Sequence, residues 1–284
     1  MKRTRTPGPT TTRDRRAFRQ AVCGFVVACV WLASASWSPA RAADDPLTRA
    51  RLLYNQRQFQ EAVAAAEQAR RIPARADAAD LVAARAYLER FRESTASDDL
   101  TNARDRLRRL DPQRLLPRER MEYIVGLGET LYFDQSFGTS AAVFDSVLQS
   151  PDLLGVDARD RVLDWWADSL DRDVRPRPEI ERRGVYQRIR ERMEEELAKH
   201  PSSSAAAYWL AAAARGNGDL QAAWAAAQAA WVRAPLAADK GDALRADVDR
   251  LVERALIPER AKATAQPPQT FQQEWERFKD RWKR

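Results

Sequence analysis

The sequence predicts an all-α protein built from antiparallel helix pairs, on three observations. The first is composition. Ala, Arg and Leu dominate, Gly numbers only 10 in 284 residues, and runs of Val, Ile and Thr are absent after residue 42. That mixture favours helix over sheet. The second is periodicity: small or apolar residues recur at three- and four-residue spacing through segments of helical length. The third is punctuation. Prolines at 73, 112, 151, 201 and 235 fall where such segments end, and proline ends a helix because it lacks an amide hydrogen.

Residues 1–42 read as a secretory leader. A basic stretch (Lys2, Arg3, Arg5, Arg13, Arg15, Arg16, Arg19) precedes an apolar run from Ala21 to Trp37. Ala40 and Ala42 then form an A-x-A cleavage signal that leaves Ala43 first. Arg15-Arg16-Ala17-Phe18 resembles the twin-arginine export signal, so that route is compatible beside general secretion. Val26-Val27-Ala28-Cys29 looks like a lipoprotein box, but cleavage there leaves apolar Val30-Trp31-Leu32-Ala33 where a polar tether is usual. The alternative to cleavage is a retained anchor, since the apolar run approaches the ~20 residues a spanning helix needs. The expected location is the periplasm or cell envelope.

Removing the leader changes the electrostatics. Of 48 basic and 41 acidic residues, it holds eight (the seven above and Arg41) and one (Asp14), leaving 40 of each. The overall formal charge of +7 therefore belongs entirely to the leader, and no nucleic-acid partner is expected. Both cysteines, Cys23 and Cys29, also go with it. Disulfides, Cys-ligated zinc and a thiol nucleophile are excluded from the remainder.

Residues 43–257 are expected to form about five helix pairs and a capping helix. In the first pair, Ala50 to Pro73, Asp45-Pro46 reads as N-cap and first helical residue, and Phe59, Ala62, Ala66 and Ala69 form the second-helix face. The second pair has Leu81, Ala84, Tyr87 and Phe91, then Leu100, Ala103, Leu107 and Leu110, with a long linker around Ser94 to Asp99. The third, Met121 to Pro151, carries Leu127-Gly128-x2-Leu131 and then Phe137, Ser140, Phe144 and Val147. The fourth is least regular: Val162, Trp165, Trp166 and Leu170 are separated by Pro176 and Pro178 from Val185, Ile189, Met193 and Leu197. The fifth, Ala205 to Pro235, is clearest. Ala207, Leu210, Ala211 and Ala214 share one face, Gly216-Asn217-Gly218-Asp219 turns, and Leu220, Ala223, Ala227 and Ala230 return. Lys240 to Leu256 fits the cap. Residues 258–269 read as a Pro-containing linker. Residues 270–284 read as an amphipathic docking helix with Phe271, Trp275, Phe278 and Trp282 on one face.

The fifth pair resembles the tetratricopeptide repeat, whose pattern is W-x2-L-G-x2-Y, A-x3-F, P. Here it reads Ala207-x2-Leu210-Ala211-x2-Ala214, Ala223-x3-Ala227 and Pro235, with departures toward alanine. The resemblance implies a superhelical solenoid that works by binding a protein or peptide. By resemblance, Arg51, Tyr54, Asn55, Glu122, Glu129, Tyr132, Phe133, Tyr208 and Arg215 line its concave face.

Little catalytic chemistry is legible. The single histidine, His200, sits at a helix end, and there is no nucleophile elbow, zinc motif or phosphate-binding glycine loop. No enzyme activity, cofactor or metal is expected. Two alternatives stand beside the scaffold reading: a carboxylate-dependent cell-wall glycan hydrolase or lyase accessory, weighed on Glu93-Ser94, and a purely structural subunit of an envelope complex. Membrane contact is expected only through an uncleaved leader or the C-terminal helix.

Overall fold

Helix boundaries follow local capping chemistry. In α1 (Pro46–Asn55) the Asp45 carboxylate accepts the Thr48 amide at 3.2 Å, satisfying a donor the first turn leaves free. α2 spans Phe59–Arg70, α3 Ala76–Ser94 and α4 Ser97–Arg109. Asp98 and Asp99 open α4 and Arg106, Arg108 and Arg109 close it, which suits the helix dipole. α5 (Pro117–Phe133), α6 (Phe137–Leu148), α7 (Val156–Val174) and α8 (Glu179–Lys199) follow. α9 (Ser204–Gly216) and α10 (Leu220–Arg233) are capped by Ser203 and Asp219. The computed structural model describes residues 45–150 and 154–283. Residues 1–42, expected to be a leader, and Pro151 lie outside the described residues, within which there is no strand.

Each helix packs on its successor, and the first helix of each pair also touches the first helix of the next, from α1 on α3 through α7 on α9. Three turns repeat the same backbone hydrogen bonds. In the first pair the amides of Gln56, Arg57 and Gln58 donate to carbonyls four, three and five residues back, at 3.0, 3.0 and 2.9 Å. Asp134, Gln135 and Ser136 do the same at 3.0, 2.9 and 2.9 Å, and Asn217, Gly218 and Asp219 at 2.9, 2.8 and 3.0 Å. The middle residue is left-handed each time, with φ 61°, 61° and 82°. Only the last turn uses glycine, which takes that conformation without strain. This shared turn puts Tyr54, Tyr132 and Arg215 at one register position.

Small residues set the spacing within pairs. Ala207, Ala211, Ala214, Ala223, Ala227 and Ala230 are all buried between α9 and α10. A side chain on Gly128 would meet the Phe144 ring at 2.5 Å, so α5 and α6 approach as closely as they do only with glycine there. Ser140, where the repeat pattern has alanine, is fully buried and donates to the Gly128 carbonyl at 2.9 Å, so its hydroxyl is satisfied.

Two expectations are corrected. The connection after α3 is only Thr95-Ala96, because Ser97 already opens α4. At the carboxyl end, residues 258–269 are mostly helix, not linker. α11 (Asp242–Leu251) runs through a π-helical turn (Val252–Leu256) into α12 (Ile257–Thr264). There the Ile257 amide donates five residues back, to Val252. The wider turn lets the helix pass Pro258, which has no amide to place and whose ring would crowd a regular helix. Ala265, left-handed, then reverses the chain into α13 (Pro268–Trp282). The capping helix and the tail thus form a sixth antiparallel pair.

That pair is held by the aromatic face. Phe271, Trp275 and Phe278 are buried; Trp275 meets Trp224 and Trp231 of α10 edge-on at 5.6 and 5.7 Å, and its indole N–H donates to Asp249 at 2.8 Å. Trp282 stays half exposed.

Candidate functional site

The first helices line a groove made of three recesses. Arg51, Tyr54 and Asn55 of α1, Arg85 of α3, and Glu119 and Glu122 of α5 frame the first, about 340 Å³. A second, about 220 Å³, shares Tyr54, Asn55, Arg85 and Glu122, and adds Glu89, Arg92, Glu129, Arg161 and Trp165. The third is the largest, about 860 Å³, and Arg161 joins it to the second. Its walls come from α7, α9 and α11, with Tyr186 and Arg182 of α8 and Glu259 of α12.

Charge pairing dominates the first two recesses. Arg85 donates to Glu122 at 2.6 Å and lies over the Tyr54 ring, 4.4 Å from its centre. Glu89 accepts from Arg92 at 3.0 Å and from the Tyr54 hydroxyl at 3.4 Å, with Arg161 at 3.9 Å. Arg51 pairs with Glu119. Glu129 is different. Among the described residues it accepts no hydrogen bond and joins no ion pair, although Arg85, Arg92 and Arg161 lie near it. Desolvation, followed by the neighbouring Glu89 charge, pushes its carboxyl up to about 7.

The large cavity is acidic. Asp160, Asp164, Asp168 and Asp171, spaced four, four and three apart, share the groove face of α7 and are joined by Asp247 and Glu259. Asp168 accepts from the Tyr132 hydroxyl and from Arg172; Asp171 accepts from the Tyr186 hydroxyl at 2.8 Å and pairs with Arg175. Arg215 grips Glu259 through two nitrogens at 2.6 and 3.0 Å. Asp164 accepts the Trp209 indole N–H at 2.7 Å. Burial first, then Asp168, Asp160 and Asp247, hold Asp164 above the ordinary carboxylate range despite that bond. Tyr186, buried and bonded to Asp171, is pushed up to about 12. Its ring occupies the space a side chain on Gly216 would fill, which ties the α9 end to this wall.

The sequence-predicted residues divide among these places. Arg51, Tyr54, Asn55 and Glu122 come together in the first recess, Glu129 in the second, and Tyr208 and Arg215 in the third. Tyr132 and Phe133 instead face a shallow aromatic recess with Phe91 and Phe137, which shares Arg175 with the third. Trp165 links it to the groove, lying 4.4 Å from Tyr132 and 5.4 Å from Phe133, while Trp166 is fully buried. Sequence reasoning missed Arg85, Glu89, Arg161 and the α7 aspartates. The four-, four- and three-residue spacing of those aspartates was the available signal. His200 ends α8 with its ring 3.8 Å from Glu196, and Glu93 is exposed beside Arg57 at 3.3 Å.

Among the described residues no helix is long and apolar enough to cross a membrane, and no group of three or more acidic, histidine or cysteine side chains is placed to hold a metal. Compared with protein-family models, with curated proteins and with solved structures, the chain matches none.

Proposed function

We propose that this chain is an exported repeat scaffold of the tetratricopeptide type that binds a protein or peptide segment in the cell envelope along its first-helix groove. The observation that carries the reading is the continuity of the groove: successive first helices contribute to recesses that share lining residues. The thrice-repeated turn supports a repeat solenoid, and the leader-like residues 1–42 support export. Repeat arrays commonly use such a surface for partners. A photo-crosslinking residue at Tyr208, tested in envelope preparations, is expected to trap a partner. The same residue at Gln187, exposed on α8, is expected not to. Equal yields at the two positions would sink the reading.

One observation favours a second reading, a glycan hydrolase acting through carboxylates. In this cleft, desolvation and then the Glu89 charge push the Glu129 carboxyl up to about 7, which suits a general acid. Wall-glycan turnover by Glu129→Gln separates the two: unchanged turnover leaves only the scaffold.

A further inference from the structure

We propose that the occupant of this groove is an extended peptide bearing lysine or arginine at alternating positions, seated over Asp160 and Asp164 and reaching toward Glu129. This names the partner class for the groove reading above and rests on it.

The arginines of the groove are largely committed. Arg85 is held by Glu122, Arg92 by Glu89, Arg175 by Asp171 and Arg215 by Glu259. Three carboxylates are not matched in this way, for Glu129, Asp160 and Asp164 join no ion pair among the described residues. Asp160 accepts only the Ser203 hydroxyl and the Ala205 amide, and Asp164 only the Trp209 indole. Glu129, half-buried, lines the second recess and accepts no hydrogen bond among the described residues. Six carboxylates face four arginines around the large cavity. Arg182 is the one cation there without an ion pair among the described residues, and it does not balance the excess. A cation arriving from outside is the complement this surface lacks.

Spacing selects an extended peptide over a metal ion. The acidic side chains do not converge into a metal-holding group. They run along a helix instead, and Asp160 and Asp164, four residues apart, are separated by about 6 Å of helix rise. Alternate side chains of an extended chain, which point the same way, lie about 6.6–6.8 Å apart. Two basic side chains at i and i+2 therefore meet two successive aspartates. Glu129, on the next first helix, extends the acidic track.

The test uses fluorescence anisotropy with the purified protein and three labelled nine-residue Gly/Ser peptides carrying lysine, glutamate or only serine at alternating positions. The lysine peptide is expected to bind, to weaken as salt screens the charges, and to bind about tenfold more weakly to Asp164→Asn. Glu129→Gln should weaken it less, and Glu181→Gln, exposed on α8, should not change it. Asparagine keeps an acceptor for Trp209, and circular dichroism verifies that each variant is folded. Unchanged affinity in both Asp164→Asn and Asp160→Asn overturns the proposal. Preference for the glutamate or serine peptide overturns it while leaving the groove reading intact. Binding of no peptide overturns it too, and crosslinking at Tyr208 then decides separately whether the groove reading falls.

Discussion

The two halves of this molecule are held together differently. In α1 to α4 the apolar interior is broken into three small clusters, mostly alanine, valine and leucine. From Met121 to Phe278 one continuous cluster runs through five tryptophans: Trp166, Trp209, Trp224, Trp231 and Trp275. Both halves add arginine pairs between helices: Arg106 with Asp80 and Glu67, Arg90 with Asp99 and Arg114 with Asp77 in the amino half, and Arg159 with Glu196, Arg192 with Asp145 and Arg215 with Glu259 in the carboxyl half. Alanine buries little area, so its pairs contribute less transfer free energy than aromatic ones, and charge pairs near a surface are screened by salt. One helix-pair plan can thus be filled by two chemistries of unequal strength. The groove crosses from one to the other at Glu129 and Arg161.

The comparison breaks most clearly at Trp275. Trp275→Ala removes a fully buried ring stacked on Phe278 and leaves Asp249 without its indole donor. It is expected to cost about 3–5 kcal/mol in urea denaturation, with α11 to α13 losing hydrogen-exchange protection first. A loss below about 1 kcal/mol would mean the aromatic face does not hold the sixth pair.

In the amino half the matching experiment is Arg106→Ala. Asp80 is buried, and Arg70, 3.3 Å away, remains as its only other cation among the described residues. The expected cost is about 2 kcal/mol, confined to exchange in α2 to α4. High salt should shrink it, whereas the Trp275→Ala cost should not fall with salt.

The boundary itself is tested by pH. The folded state raises the Glu129 carboxyl from 4.5 to about 7, so it holds the proton more tightly than the unfolded chain. Stability from this group is present below about pH 4.5, is lost as pH rises toward 7, and stays lost above. Glu129→Gln is therefore expected to be more stable than wild type at pH 8 by about 1–2 kcal/mol, with the gap closing near pH 4.5. Glu89, Arg92 and Arg85 of α3 and Arg161 of α7 face this group. A gap independent of pH would assign the effect to packing.

Much of the fold was legible because helix periodicity and capping are local. Asp45, Ser203 and Asp219 cap where short-range chemistry puts them. The sixth pair was hidden because Pro258 reads locally as a helix breaker, and only the π-helical turn Val252–Leu256, centred on Arg254, explains its passage. The site was legible in part. Tyr54 and Arg215 occupy one repeated register position, so the resemblance reached them. Arg161 and Asp164 sit in the fourth pair, where Pro176 and Pro178 replace the shared turn and obscure the register.

By itself the sequence determined which segments are helices, where most end, and that an aromatic face near the carboxyl end needs a surface to cover it. These depend on propensity, periodicity and the missing amide of proline, all short-range. Only the tertiary structure decided what the aromatic face covers, which arginines are committed to which carboxylates, and that Glu129 is left without one. Most of those outcomes depend on distances between residues far apart in the chain, such as Arg85 and Glu122 or Trp275 and Asp249. Packing sets such distances, and local pattern does not.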